Sequence, residues 1–227
     1  MANDDDLAAL VRRGIAQQRA GQHKAAIQIY RVVLRRGGGD SALLCRLGEC
    51  HEALGEFAAA DEAYCDAIER DPDQAHAYLR AADMALRARE VALRVGQAEP
   101  AEEFRRGAFG HFTALGVRLV ARARWAEAEQ AFRRALALQP ADGGSYVDLG
   151  RCRYEQGDLA GGEAAIREGL RLGPDRALAH FQLGVVLVRQ ERRGEAEAAL
   201  RQAVALDPTL APAADGLVPL GRGGSPG

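Results

Sequence analysis

Apolar, small and polar positions recur along this chain in blocks. Segments beginning at Ser41, Phe109, Gly143 and Ala177 align without gaps. Gly48, Gly116, Gly150 and Gly184 fall in one column, and Pro72, Pro140, Pro174 and Pro208 in another. The last three members of each column are 34 residues apart, and Gly48 precedes Gly116 by 68, two periods. Extending the register gives six units: 7–40, 41–74, 75–108, 109–142, 143–176 and 177–210. A fixed period of this size marks a repeat architecture, in which each unit is one supersecondary element that buries its apolar face against its neighbours.

Within a unit the spacing predicts two helices joined by a turn. The eighth position is small throughout: Gly14, Gly48, Ala82, Gly116, Gly150 and Gly184. The twentieth (Ala26, Ala60, Arg94, Ala128, Gly162, Ala196) and twenty-seventh (Val33, Ala67, Ala101, Ala135, Gly169, Ala203) are mostly small as well. Small side chains there let antiparallel helices approach at the near end of the ~8–10 Å packing range. Between them stand large apolar residues, Leu47, Leu115, Leu149 and Leu183 on the first helix and Tyr64, Phe132, Ile166 and Leu200 on the second. Gly21-Gln22, Gly55-Glu56 and Gly157-Asp158 mark the turns, since glycine takes the left-handed conformation that ends a helix. Asp71-Pro72 and Asp207-Pro208 stop the second helix.

These columns resemble the tetratricopeptide repeat family. Unit 109–142 matches its signature best, with Phe112, Leu115, Gly116, Leu119, Ala128, Phe132, Ala135 and Pro140 in place. The resemblance implies an all-α, right-handed superhelical solenoid of helix–turn–helix repeats, with about eleven or twelve helices. Residues 1–6 read as a lead, 7–74 as repeats one and two, 109–210 as repeats four to six, and 211–227 as a short cap and flexible tail. The first unit is degenerate, with Arg13 and Gln17 at apolar positions, as suits a terminal repeat without a covering neighbour.

The third unit, 75–108, departs most. Arg94 and Arg106 occupy signature positions, and no Gly or Pro interrupts Gln74 to Val95. An overlong helix near 75–95 is expected, followed by another near 100–122 with Pro100 as a first helical residue and Phe104, Ala108, Phe112, Leu115 and Leu119 in one stripe. An ordinary hairpin that has drifted in sequence is the alternative.

Composition narrows the function. The chain of 227 residues is 48% hydrophobic and 27% charged, with thirty Lys+Arg against thirty-two Asp+Glu. That balance supplies no basic field for nucleic acid. No apolar run approaches the ~18 residues of a membrane span. The start, Met1-Ala2-Asn3-Asp4-Asp5-Asp6, is acidic where a signal peptide is basic and then apolar, so a cytoplasmic location is expected. Four cysteines make no disulfide framework. His51-Glu52-Ala53-Leu54-Gly55 begins like a zinc-protease helix but has Gly55 where the second histidine belongs. Cys45, Cys50 and Cys65 lack the close pairing of zinc ligands, and Cys50 and Cys152 fall at equivalent tenth positions as buried structural thiols. Lys24 is the one lysine, so there is no P-loop, and neither a nucleophile elbow nor a dinucleotide fingerprint occurs. The expectation is therefore no catalysis, no metal and no cofactor.

What remains is surface. The resemblance implies that first helices line a concave side through positions two, five, six, nine, twelve and thirteen. Position six gives Arg12, Arg46 and Arg80, a possible ladder for carboxylates. Local pairing with Glu49 and Asp83 is the plainer reading. Farther on, Val117, Val120, Val147, Tyr154, Phe181, Val185 and Val188 would give the groove an apolar stretch, with Arg151 as a further partner-binding residue, able to take an amphipathic helix or extended peptide. The carboxylate clamp of chaperone-binding members needs Lys and Asn where this chain has Val11, Ile15 and Arg46, so it does not carry over. The resulting expectation is an adaptor for a protein partner. A self-assembling homo-oligomeric scaffold, or a regulatory module of a glycosyl- or methyltransferase, stays open beside it.

Overall fold

The computed structural model describes residues 4–173 and 176–217. They form twelve helices, with no strand among the described residues: α1 (Asp4–Arg19), α2 (His23–Arg35), α3 (Ser41–Ala53), α4 (Phe57–Arg70), α5 (Ala75–Arg94), α6 (Ala98–Ala121), α7 (Trp125–Leu138), α8 (Gly143–Glu155), α9 (Leu159–Leu172), α10 (Ala177–Arg189), α11 (Arg193–Leu206) and α12 (Ala211–Leu217). A 3₁₀ turn, Pro208–Leu210, precedes the last. Helix α1 begins inside the 1–6 segment read as a lead, and the tail expected beyond Leu220 lies outside the described residues. The chain divides into two compact units, Met1–Leu115 and Gly116–Gly227, with the boundary inside α6.

In the first unit α1 packs on α2, α2 on α3, α3 on α4 and α4 on α5. The second helix of each hairpin pushes an aromatic ring under a small residue of the first. A Cβ on Gly48 would meet the Tyr64 ring at 2.8 Å, and Tyr30, which lies beneath Gly14, and Tyr64 are both fully buried. Burying such a side chain is worth about 1.5–3 kcal/mol, so the small column and the large column stabilise the fold together.

The turn of the third unit is displaced. In every other unit the fifteenth residue is left-handed, at Gly21, Gly55, Ala123, Gly157 and Glu191. Arg89 occupies that place in the third unit and lies within α5, and the left-handed residue is instead Gly96, with φ +76°. Seven residues are two helical turns, so α5 runs about 10 Å past the usual turn. Helix α6 starts correspondingly late, at Ala98, and continues without a break through the first helix of the fourth unit. Pro100 is therefore the third residue of α6 rather than the first. It is still in the opening turn, where no intrahelical donor is needed.

In the second unit α7 packs on α8, α8 on α9, α9 on α10 and α10 on α11. Its core holds Tyr154, Ile166, Leu183, Val186, Leu187 and Leu200. Helix α12 closes the end by inserting Ala214 into that core, with Leu217 packed against it. Asp207 organises the approach, its carboxylate accepting from the Thr209 amide and hydroxyl.

Candidate functional site

The overhang of α5 and α6 creates a cleft in the first unit. The last turns of α5 (Ala88, Val91, Ala92) and the start of α6 (Pro100, Phe104) face α2 (Lys24, Ile27, Arg31) and the Gly55–Ala59 turn. They enclose about 820 Å³, in the range of ~300–1,000 Å³ typical of ligand sites. The walls are largely apolar, with Leu54 and Phe57 adding to them. Val91, Leu93 and Val95, at 46%, 50% and 64% exposure, stand at the tip of α5. Of these, Val91 also lines the cleft, while Leu93, two residues away on the helix, faces away from it.

A polar relay lies along one wall. His51, buried at the end of α3, donates from Nδ1 to Glu56 Oε2 at 2.6 Å. Its Nε2 then faces Arg31 Nη2 at 3.5 Å as an acceptor. The carboxylate thereby sets the tautomer. Lys24 and Arg31 leave the wall cationic.

The residues assigned to a concave groove are distributed differently from the expectation. Arg12 is exposed, and Arg46 is half-buried beside Val11 and Asp40. Arg80 does not extend a ladder, because its guanidinium is paired with Glu52 of α3, which Arg87 also approaches at 3.9 Å. The Arg80 pair thus reaches across the repeat, from α5 to α3. Glu49 likewise accepts from Gln18 across the repeat, at 2.7 Å.

Val147 and Tyr154 are corrections. Val147 is 5% exposed and packs into α9, where a Cβ on Gly169 would meet its Cγ2 at 2.7 Å. Tyr154 is 3% exposed, donates its hydroxyl to Gln182 and is covered by the Arg189 guanidinium 5.0 Å from the ring centre. Both belong to the interior of the second unit because close approach of neighbouring helices covers them. Val117 is exposed, and Val120, Phe181, Val185 and Val188 are half-buried, the last three packed against the second unit's core.

Arg151 is half-buried, its guanidinium 5.6 Å from the Trp125 ring centre and its Nε without a hydrogen-bond partner. Burial pushes the nearby Asp148 carboxyl above the usual carboxylate range, and Arg151 only partly offsets this. Cys50 and Cys152 are fully buried, and burial raises their thiols to about 11 and about 12 respectively. The overhang cleft is absent from the sequence reading because its walls come from five elements. Its one signal was the missing turn after Gln74.

Paired antiparallel helices stacked at a 34-residue register, with small residues at each crossing, define an all-α helical-repeat protein. Two family models, both described as tetratricopeptide repeat, match this chain, one over residues 18–82 and the other over 113–176 and 153–211. The chain belongs to the tetratricopeptide repeat family. The stretch between the two matched regions is where α5 and α6 replace the regular hairpin. Among solved structures, the chain is similar to MamA from Desulfovibrio magneticus RS-1 at 19% identity, covering 90% of this chain and 97% of that one with a TM-score of 0.42. It is similar to YrrB, described as a TPR protein with an unusual peptide-binding site, at 21% identity, 82% and 97% coverage and a TM-score of 0.46. The TPR2AB domain of yeast Sti1, in complex with pHSP90, aligns at 14% identity, 95% and 98% coverage and a TM-score of 0.45. No curated protein matches.

Proposed function

We propose that this chain is a non-catalytic adaptor that seats a segment of a partner protein in the overhang cleft of its first unit. The carrying observation is the cleft itself, about 820 Å³ with apolar walls, next to the exposed Val91, Leu93 and Val95. Lys24 and Arg31 on one wall favour a segment whose apolar residues are flanked by carboxylates. The apolar contacts supply burial, and the cations orient the segment.

Selection from a displayed peptide library against the purified chain tests this. Enriched sequences should combine apolar residues with Asp or Glu. Val91→Glu and Lys24→Glu, both on accessible positions, should each weaken a selected peptide by tenfold or more while leaving helicity unchanged. Equal binding to both variants would move the site elsewhere.

A second reading keeps the concave face, in the second unit. Phe181, Val185 and Val188 stand at helical spacing on α10 and are only half covered, and Val117 is 54% exposed. Phe181→Ala and Val185→Ala would then weaken the peptides that Val91→Glu leaves bound.

A further inference from the structure

We propose that Asp61, Cys65 and His111 form a binding site for a divalent cation of the zinc class. Asp61 and Cys65 are four residues apart on α4 and so share one face. Helix α6 brings His111 against them within the first unit. The Cys65 Sγ lies 3.6 Å from His111 Nε2 and 3.9 Å from Asp61 Oδ1, and Nε2 lies 3.5 Å from the same Oδ1.

Two of these separations, 3.6 and 3.5 Å, are those of ligands around a metal, and the third, 3.9 Å, is a few tenths of an ångström longer. An N–H to carboxylate hydrogen bond would close to ~2.7–3.2 Å, whereas the edges of a tetrahedron with zinc bonds of ~2.0–2.3 Å are ~3.4–3.6 Å. The nearest point equidistant from the three atoms lies in their plane, about 2.1 Å from each, and a step of a few tenths of an ångström out of that plane gives the ~2.0–2.3 Å bonds of a tetrahedral zinc. A cation there needs adjustments of only tenths of an ångström.

Donor chemistry selects the metal. One thiolate, one imidazole and one carboxylate suit zinc or a neighbouring transition ion. Calcium and magnesium would take oxygen alone. Asp61 and His111 side chains are each 18% exposed, so a fourth donor, water or a partner's group, can complete the shell as in open zinc sites.

The surrounding charge also favours a cation. Asp66 and Glu69 add two more carboxylates near Cys65. Their negative charge attracts a cation to this place. On binding, the S–H bond breaks, an S–metal bond forms and the proton leaves to solvent, so affinity falls as pH falls. The occupied site would tie α4 to α6, closing a loop of the chain between Cys65 and His111 beneath the displaced hairpin.

The sequence reading set metals aside because Cys45, Cys50, Cys65 and His51 are poorly spaced. His111 lies 46 residues beyond Cys65, and only the packing of α6 on α4 brings them together.

Cobalt titration of the purified full-length chain, followed by zinc competition, tests the site. One equivalent per chain is expected, with a thiolate-to-cobalt charge-transfer band that zinc abolishes. Cys65→Ser should remove the band. Asp61→Asn and His111→Ala should each weaken binding by about 100-fold or more, beyond the ~10–100-fold usual for groups behind the ligands. His76→Ala, at an exposed histidine of α5, should change nothing. Should Cys65→Ser fail to fold, mass spectrometry of the wild type gives a second readout, since zinc should protect Cys65 from iodoacetamide. Well under one equivalent bound, a charge-transfer band surviving in Cys65→Ser, or equal alkylation with and without zinc would overturn the proposal.

Discussion

Gly150 on α8 and Gly162 on α9 face each other so closely that a Cβ on either would reach the other's carbonyl oxygen, at 2.7 and 2.9 Å. Gly143 and Gly169 repeat the arrangement at the other end of the same pair, both at 2.7 Å. Here backbone meets backbone, with no flexible side chain to give way. Gly150→Ala or Gly162→Ala should therefore destabilise the protein by about 2–3 kcal/mol, the upper part of the range for overpacking. Gly107→Ala and Gly110→Ala in α6, where a Cβ meets nothing within 4 Å, should stabilise by about 0.5–1 kcal/mol through helix propensity. Urea unfolding of the four variants checks the contrast, and equal effects in both pairs would refute the close-approach account.

Ala123 and Glu191 hold left-handed backbone, φ 54° and 61°, at turns where other units have glycine. A left-handed L-residue costs roughly 1–2 kcal/mol, partly balanced by the entropy glycine loses on folding. Ala123→Gly and Glu191→Gly should each gain a few tenths to about 1 kcal/mol, read as a shift in the denaturation midpoint without a change in slope. A loss of stability at both sites would count against the strain.

The Arg80–Glu52 pair joins α5 to α3 with side chains 30% and 15% exposed. Such partly buried pairs are more than surface decoration, and removing one partner leaves the other half-buried and unmatched. Glu52→Gln and Arg80→Met should each destabilise by about 1–2 kcal/mol, with the double variant less damaged than the sum. A double-mutant cycle with zero coupling would show that the pair contributes nothing.

Two carboxylates should pull the pH profile in opposite directions. Burial pushes Glu163 up, but hydrogen bonds from Arg167, Gln190 and Arg192 outweigh it and hold the carboxyl below its usual value. The folded state then binds the proton less readily than the unfolded chain. Its contribution is present above the ordinary glutamate range and is lost as pH falls through the folded value. Asp148 is the reverse: burial raises it, so the folded state favours its proton and the ionised form costs stability at neutral pH. Glu163→Gln should flatten the acid limb of stability against pH. Asp148→Asn should raise Tm at pH 7 by a degree or more, and its advantage should vanish at acid pH. An advantage independent of pH would argue against a titrating carboxylate.

The helical hairpins were legible because their causes are local and repeated. Gly48, Gly116, Gly150 and Gly184 are crossing points in any chain that folds this way, and Tyr64 or Phe132 opposite them fill the space that a missing Cβ leaves. The lengthened helix was legible too, from the absence of any breaker between Gln74 and Val95. Burial of Val147 and Tyr154 was not. A position on a first helix is open or covered according to how closely the next helix comes, and glycines on α9 and a ring-stacking Arg189 on α10 decided it.

By itself the sequence determined the period, the all-α class and the small-against-large pairing within each repeat. Each follows from side-chain size and backbone freedom at fixed spacing. Tertiary structure alone decided that Arg80 answers Glu52, that Lys24 and Phe104 share a cleft, and that Asp61, Cys65 and His111 meet. Those relationships depend on where distant helices stand in space. A seven-residue displacement of one turn, at Gly96, moves two whole helix ends by about 10 Å and changes which side chains become neighbours.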